Sequence, residues 1–282
     1  MVDLLLDATA IKNFIACRER YRQLYIENRA PVTPSIHRAF GIAVHLAAEV
    51  HNKGGSYADG LRAACFSLAC ASLQSLAGAS VHLQTKWREL AASLPDCVAC
   101  YFDGVTVGEV LAVEQEWSHQ FMPGVYLCGR KDKVQTDGLY DLKTASEIGK
   151  TWKTDFRGQM LRDFGLALYD WHECRLGRAP KKVVVECIVK GYRGSMPRLE
   201  FFELTELPLY RKRFEQQLAW IVAEIYHYHQ NYLEQKPWPM AQGECHTKYG
   251  QCEFLPICLH GEIPKVMENY GPRVEHLVLK GA

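Results

Sequence analysis

The chain has 282 residues, of which 48% are hydrophobic and 23% charged, and its 33 basic and 32 acidic residues leave a formal net charge of +1. This length and composition suffice to bury a large core, in one domain or in two closely joined ones. The balanced charge excludes a uniformly polycationic nucleic-acid-binding protein but leaves room for a local basic groove. No apolar run approaches the roughly 18 residues of a membrane span, so we expect no membrane association.

The amino terminus and the cysteine content favour a reducing compartment. The first residues, MVDLLLDATAIKNF, include the acidic Asp3 and lack the basic stretch of a secretion signal. Eleven cysteines in such a chain argue against a disulfide framework and suggest that some thiols hold a metal. We therefore expect a cytoplasmic protein.

Helical periodicity dominates the first third of the chain. It predicts an amphipathic helix over residues 8–28, a second helix over 38–51 and one or two more over 58–94. The pattern changes near Gly108, after which alternation of apolar and polar residues predicts a strand over 109–122.

Strands and helices alternate in the rest of the chain. The predicted elements are two strands over 125–145 about the turn dipeptide Asp137-Gly138, helical structure over 150–177, a strand pair over 181–192 and 198–204, and a long helix over 208–235. This order predicts an α/β domain with a mixed sheet and a helical N-terminal insertion. We assign one domain over 1–282, with a helical part (1–107), a core (108–205) and a C-terminal helix followed by a cysteine-rich segment (206–282).

The clearest indication of chemistry is the segment GRKDKVQTDGLYDLKTAS. If Asp137 and Gly138 are the central residues of a tight hairpin, Asp132 pairs with Lys143. Residues on one face then include Asp132, Asp141 and Lys143. Adjacent carboxylates favour a hard cation such as Mg²⁺ or Mn²⁺, and a nearby lysine can position water or stabilise charge on a phosphate. The alternative is a surface hairpin with an ordinary cross-strand ion pair.

This hairpin resembles the core of the PD-(D/E)XK nuclease superfamily, and three further motifs lie in the order of its RecB-like branch. Gly41-Ile-Ala-Val-His45 resembles the upstream histidine motif of that branch. Glu114, in AVEQEW, resembles the glutamate of the first core strand. Gln159, in GQMLRDFGLALY, resembles the glutamine of the helix that follows the active-site strands. The resemblance extends over nearly the whole chain. It implies a restriction-endonuclease-like mixed sheet flanked by helices.

The resemblance also implies a role for each matching residue. The implied metal ligands are His45, Asp132, Asp141 and the backbone carbonyl of Leu142. Lys143 would be the catalytic lysine, Glu114 would bind metal or position water, and Gln159 would orient the site or contact DNA. Each of these residues also has an ordinary explanation when it is judged singly. His45 could be a hydrogen-bonded core histidine, and Gln159 could be a solvated helix residue. Glu116 competes with Glu114 for its role, because strand alternation puts both on the same face.

Four cysteines suggest a second metal site. They are Cys17, Cys245, Cys252 and Cys258, the last three within CHTKYGQCEFLPIC. Four thiolates suit a [4Fe–4S] cluster or a structural zinc ion. Their arrangement resembles the iron–sulfur branch of RecB-like nucleases, which includes AddB-type and CRISPR-associated exonucleases, and implies a structural cluster that staples the C-terminal segment. A Cys₃His zinc site using His246 or His260 is the alternative.

A basic stripe follows the hairpin. Lys150, Lys153 and Arg157 recur at i, i+3 and i+7, and Trp152 and Phe156 lie between them. Such a stripe suits a phosphate backbone and an unstacked base. An ordinary solvated helix face is the alternative.

The resemblance thus implies a Mg²⁺- or Mn²⁺-dependent deoxyribonuclease that hydrolyses DNA phosphodiesters, with a preference for single-stranded ends as an exonuclease. Recombination, repair, CRISPR adaptation and phage DNA processing are all compatible settings, with a helicase or an integrase as partner. Two other classes remain open: a non-catalytic DNA-binding subunit of a helicase or integrase complex, and a zinc-stapled interaction protein.

Overall fold

A computed structural model of the chain describes residues 3–32, 35–76, 80–106, 108–146, 152–191, 195–231, 238–241, 245–247 and 250–273. The helices are α1 (Ala8–Ala16), α2 (Arg18–Tyr21), α3 (Ile36–Asn52), α4 (Tyr57–Leu76), α5 (Val81–Gly104), α6 (Trp152–Met160), α7 (Phe164–Arg175), α8 (Arg211–Asn231), α9 (Leu255–His260) and α10 (Pro264–Met267). The strands are β1 (Leu4–Leu6), β2 (Arg29–Pro31), β3 (Val110–Met122), β4 (Val125–Gln135), β5 (Gly138–Ser146), β6 (Lys182–Lys190), β7 (Arg198–Glu203), β8 (His246–Thr247), β9 (Gly250–Gln251) and β10 (Tyr270–Pro272). No helix in these ranges combines the length and the apolar character that crossing a membrane requires.

Six of the described strands form one mixed sheet in the order β1-β4-β5-β6-β7, with β3 also paired to β4. β5 runs parallel to β6, whereas β4 and β7 are antiparallel to their neighbours β5 and β6. Parallel neighbours need a crossover of about a dozen residues or more, and α6 and α7 provide it. The predicted α/β class, with a mixed sheet flanked by helices, is confirmed.

The chain divides into two compact units. The terminal unit contains residues 1–33, 117–129 and 212–282, and the central unit contains residues 34–116 and 130–211. Within the terminal unit, β1 runs parallel to the first residues of β4, and β2 pairs with β10.

In the central unit, β6 is covered on both faces. All seven residues inside this strand are buried, as expected for a near-continuous apolar run between two layers. Ile188 packs with Leu142 and helices α3, α4 and α5, whereas Val185 and Cys187 pack with α6 and α7. Strand alternation therefore divides the apolar side chains between two cores.

The helix predicted over residues 8–28 is wrong as a continuous element, because it is interrupted at Cys17. The backbone of Cys17 is extended, with φ −161° and ψ 118°, and its N–H donates to the Asn13 carbonyl at the end of α1. After α2 the chain forms a π-helical turn over Arg22–Ile26. The helical reading of the N-terminal third also missed β1 and β2, which form through pairing with distant strands.

The turn of the β4–β5 hairpin lies one residue earlier than predicted. Thr136 and Asp137 form it, and Gly138 is already part of β5. The predicted pairing of Asp132 with Lys143 is therefore wrong by two residues. Because side chains alternate with a period of two, this shift leaves every side chain on its predicted face.

Specific contacts fix this register. The Asp137 carboxylate accepts hydrogen bonds from the Tyr140 hydroxyl at 3.1 Å and lies 2.6 Å from Lys182 Nζ. Gly138 pairs with Lys182 of β6, and a Cβ atom at Gly138 would lie 2.3 Å from the Lys182 carbonyl oxygen. Glycine is thus required at this position by the close approach of β6.

We expect Gly138→Ala to destabilise the protein by about 1–3 kcal/mol, because backbone atoms would have to move to admit a methyl group. Gly158 of α6 is the matched control, since no heavy atom lies within 4 Å of its added Cβ. Gly158→Ala should stabilise by about 0.5–1 kcal/mol. Urea unfolding midpoints measure both effects, and a Gly138→Ala protein as stable as the original would contradict the close packing of β5 on β6.

Candidate metal centre

Three side chains from three elements meet in the central unit. His45 of α3, Glu114 of β3 and Asp132 of β4 each offer a ligand atom, and these atoms lie within 4.8 Å of one another. His45 Nδ1 lies 3.5 Å from Asp132 Oδ2. Among the described residues, no other three His, Cys, Asp or Glu side chains bring their ligand atoms this close together.

Small residues bring α3 close to the sheet. Ala43, Val44 and Ala47 of α3 are buried in the core that also contains Leu142. A Cβ atom at Gly41 would lie 3.8 Å from the Thr144 hydroxyl oxygen of β5. His45 lies one helical turn after Gly41, and this close packing positions its imidazole beside the sheet.

An unusual backbone conformation aims Glu114 at the group. Its φ of 49° lies in the left-handed region, although it stands within β3. Such a conformation costs on the order of 1–3 kcal/mol and is retained where surrounding structure fixes it. The Glu114 side chain is only 10% exposed. Glu116, which strand alternation could not separate from Glu114, is exposed.

Asp141 and Lys143 of β5 form a contact pair next to this group. The Leu142 N–H donates to Asp132 Oδ2 at 2.8 Å, which orients that carboxylate. Asp141 Oδ2 contacts Lys143 Nζ, and Lys143 keeps one third of its side chain exposed. The buried Asp141 Oδ2 has Lys143 as its partner, whereas the buried Glu114 Oε2 accepts no well-directed hydrogen bond from any described residue.

Burial and mutual repulsion disturb the ionisation of these acids. Burial, together with the Asp132 charge, raises the pKa of Glu114 to about 7. Burial also raises the pKa of Asp141 to about 6, with Lys143 opposing the shift and Asp132 adding to it. Burial works against the Lys143 ammonium, but the Asp141 and Asp132 carboxylates hold the pKa of Lys143 above its ordinary value. A cation among these groups would favour the ionised carboxylates.

Two charged residues near the site were missed by the sequence reasoning. Arg130 Nε lies 2.8 Å from Glu114 Oε2, and the charge of Glu49 further raises the pKa of Glu114. Spacing could have found both. Arg130 precedes Asp132 by two residues on β4, and Glu49 follows His45 by one helical turn on α3.

The structure describes the surroundings of part of the predicted DNA-binding stripe, whose role in binding DNA stays a prediction. Trp152 is only 7% exposed and packs in a core with Phe156 and Phe202. It is therefore unavailable to stack on a base. Lys153 pairs with Glu200 at 2.7 Å.

The rest of the stripe and the glutamine motif lie on the same helix or just before it. Arg157 pairs with Glu206 at 2.5 Å. Lys150 lies outside the described residues. Gln159 is exposed on α6, and its predicted role at the site stays a prediction.

The four predicted cluster cysteines all belong to the terminal unit: Cys17, Cys245, Cys252 and Cys258. Burial, the charge of Glu19 and the charges of the other three cysteines raise the pKa of Cys258 to about 12. The Cys252 N–H donates to the Cys245 carbonyl at 2.9 Å. No three of these sulfur atoms, all within described residues, come within 4.8 Å of one another. His260 is exposed, and the side chain of His246 is outside the described part of the structure.

The fold and the site define an α/β protein whose sheet and adjoining helix gather one imidazole and several carboxylates around a candidate divalent-cation position, next to a lysine. The family model of the PD-(D/E)XK nuclease superfamily matches residues 6–259, so the chain belongs to this superfamily. The predicted superfamily is thereby confirmed.

Comparison with solved structures extends the agreement in fold. A Eubacterium rectale protein whose crystal structure was described as that of a "Putative exonuclease" superposes with a TM-score of 0.51 at 13% sequence identity. The match covers 94% of this chain and 92% of the other. At this identity the likeness concerns the fold alone. No curated protein matches the sequence.

The two glutamates of β3 allow a matched test of the centre. Glu114→Gln should weaken Mn²⁺ binding by at least about tenfold, because it removes a charge from the group. Glu116→Gln, at an exposed position two residues further on, should leave the affinity unchanged. Isothermal titration of the full chain with Mn²⁺ measures both. Equal affinities in the two variants would show that Glu114 takes no part in cation binding.

Proposed function

We propose that the protein is a Mg²⁺- or Mn²⁺-dependent deoxyribonuclease that hydrolyses DNA phosphodiesters and acts on single-stranded ends as an exonuclease. The observation that carries the proposal is the meeting of His45, Glu114 and Asp132 beside the Asp141–Lys143 pair in a chain of this superfamily. The exonuclease preference is supported by the RecB-like motifs and by the description of the Eubacterium rectale protein.

The residues of the centre fit a hard divalent cation. Carboxylate oxygens with one imidazole suit Mg²⁺ and Mn²⁺. The buried Glu114 Oε2 atom, which accepts no well-directed hydrogen bond from the described residues, is an oxygen that a cation would satisfy. The proposed ligands are His45, Asp132, Asp141 and the backbone carbonyl of Leu142, and Glu114 binds the ion or positions water. When bound, the cation stabilises charge on the phosphate and lowers the pKa of a coordinated water.

The protein's own groups supply orientation and charge. The Leu142 N–H holds the Asp132 carboxylate in one orientation, so little reorganisation is needed when substrate binds. Lys143 keeps its ammonium charged beside Asp141 while one third of its side chain remains open to solvent. It positions a phosphate oxygen or the attacking water and stabilises the negative charge that develops on the phosphate. Gln159 orients the substrate from α6.

The alternative of a non-catalytic DNA-binding subunit is less consistent with this centre. Asp141 is buried, and burial raises its pKa to about 6 even though Lys143 is in contact with it. A subunit without chemistry gains nothing from keeping this carboxylate and Lys143 together. In recombination, repair, CRISPR adaptation or phage DNA processing, a helicase or an integrase would then be a partner of an active nuclease.

Removal of either member of the β5 pair tests the proposed chemistry. Asp141→Asn and Lys143→Ala should each reduce DNA cleavage by roughly 100-fold or more. Cleavage of 5′- and 3′-labelled single- and double-stranded DNA, with Mn²⁺, Mg²⁺ or EDTA, measures rate, metal dependence and polarity.

Asp59→Asn is the control for this experiment, because Asp59 is exposed on α4 and pairs with Arg62. It should cleave like the unmodified protein. Cleavage that persists in EDTA, or an Asp141→Asn protein of normal activity, would contradict the proposal. If cleavage yields internal fragments and releases no terminal nucleotides, the protein is a nuclease but the proposed exonuclease mode is wrong.

The proposal includes a structural [4Fe–4S] cluster held by Cys17, Cys245, Cys252 and Cys258. Its support is that these residues share one unit and act on one another electrostatically.

Protein contacts already join the cysteine segments. Arg20, three residues after Cys17, pairs with Glu253 at 2.8 Å, and Glu253 directly follows Cys252. The Glu19 N–H donates to the Pro239 carbonyl at 3.3 Å. A cluster at this position would add its binding free energy to the stability of the terminal unit.

A cysteine substitution series tests this part. Anaerobically purified protein should be brown and contain iron and acid-labile sulfide, and Cys258→Ser should lose both because a thiolate ligand is removed. Cys97→Ala is the control, since Cys97 is buried in a core of the central unit. It should keep its colour. Stoichiometric zinc without iron in anaerobically purified protein would instead favour the Cys₃His or Cys₄ zinc site.

A further inference from the structure

Arg130 stands beside the metal centre but has no part in the proposed chemistry. Its Nε atom lies 2.8 Å from Glu114 Oε2, while 46% of its side chain is exposed. It precedes Asp132 by two residues on β4 and therefore shares its strand face. One end of this side chain thus neutralises a buried carboxylate, and the rest faces solvent.

The contact with Glu114 is one of charge without a directed hydrogen bond. Glu114 Oε2 is buried and, among the described residues, accepts no hydrogen bond of acceptable geometry even though Arg130 Nε is within reach. Because 46% of the Arg130 side chain is already exposed, water can solvate a guanidinium that leaves Glu114. A divalent cation that binds Glu114 would therefore be able to take the place of the guanidinium.

A displaced guanidinium remains next to the place where substrate binds. Arginine presents several donors in a planar fork that matches the oxygens of a phosphate. Its exposed position on β4 leaves it free to reach the solvent side of the centre. The negative charge closest to it would then be the nucleic-acid backbone.

We propose that Arg130 has two successive partners: the Glu114 carboxylate while the centre lacks metal, and a DNA phosphate once the metal holds Glu114. This inference rests on the proposed nuclease function and adds a substrate-positioning residue to it. The site thereby couples metal loading to DNA affinity, because the cation releases the arginine that binds the phosphate.

Mn²⁺ titration of the full chain tests the first partner. Arg130→Gln should bind Mn²⁺ about three- to tenfold more tightly, because the guanidinium that competes with the cation for Glu114 is lost. The Mn²⁺ affinity of Arg130→Lys should lie between that of Arg130→Gln and that of the unmodified protein. Arg62→Gln is the control, since Arg62 forms an exposed pair with Asp59 at 3.4 Å. An unchanged or weaker Mn²⁺ affinity in Arg130→Gln would overturn this part.

DNA binding tests the second partner. Fluorescence anisotropy with labelled single-stranded DNA, in a Lys143→Ala background that does not cleave, gives the salt dependence of affinity with Mn²⁺ or EDTA. Arg130→Gln should lower the slope by about 0.7 with Mn²⁺ and leave it unchanged in EDTA, since one phosphate contact is lost only in the loaded state. When Glu114→Gln is also present, Arg130 has lost its carboxylate partner. Arg130→Gln should then lower the slope by the same amount even in EDTA.

Each outcome separates this inference from the function beneath it. An Arg130→Gln effect that is equal with Mn²⁺ and EDTA, or absent from both, overturns the exchange of partners while cleavage by the unmodified protein keeps the nuclease function. No Mn²⁺ binding and no cleavage by the unmodified protein would instead refute the nuclease function itself.

Discussion

Repulsion among carboxylates in a partly buried site is the constraint on which the centre depends. Glu114, Asp132 and Asp141 are close enough that the Asp132 charge raises the pKa of the other two. Folding these groups together without compensation would be costly. Lys143, which contacts Asp141, and Arg130, which lies beside Glu114, provide partial compensation. The arrangement is stable enough to form and yet remains short of positive charge, which is the condition for binding a cation.

Strand β4 carries this constraint through four successive charged residues, 130–133. Arg130 and Asp132 belong to the candidate metal centre, whereas Lys131 and Lys133 are buried elsewhere. Lys131 contacts Glu173 and donates to His172 Nδ1 at 2.6 Å. A slip of one residue would take Lys131 away from these partners, and an unpaired buried lysine costs about 3–5 kcal/mol.

The second buried lysine fixes the same strand to β6. Lys133 pairs with Glu186, whose other carboxylate oxygen accepts a hydrogen bond from the Tyr101 hydroxyl at 2.8 Å. Charge pairing thus determines the register of β4, where apolar residues alone would allow slippage. The position of Asp132 in the centre follows from two ion pairs that never touch it.

These particulars show which features the sequence could predict. Alternation was sufficient to bring Asp132, Asp141 and Lys143 to one face, since an error of two residues in register does not change the face. The register itself depends on Gly138 lying against the Lys182 carbonyl and on Asp137 bonding Tyr140, which are contacts between distant or side-chain atoms. Local patterns carry no information about them.

Helical spacing alone does not reveal the tertiary contacts that a side chain makes. The stripe of α6 has the spacing of a DNA-binding face, but Trp152 points into a core and Lys153 finds a carboxylate on β7. Similarly, spacing alone continues the first helix through Cys17, where the backbone is extended. The helix is thus interrupted at Cys17, which is one of the four predicted cluster ligands.

The centre therefore assembles three elements that are positioned by different physical means. α3 approaches the sheet through glycine and small apolar residues, β4 is fixed by buried lysines, and β3 delivers Glu114 through a left-handed backbone conformation. The first two means also stabilise the fold, whereas the left-handed conformation of Glu114 costs free energy. Strain and a buried oxygen without a well-directed hydrogen bond among the described residues are features that a role in binding would explain. This combination, more than any single distance, is the physical reason to regard the group as a candidate metal centre.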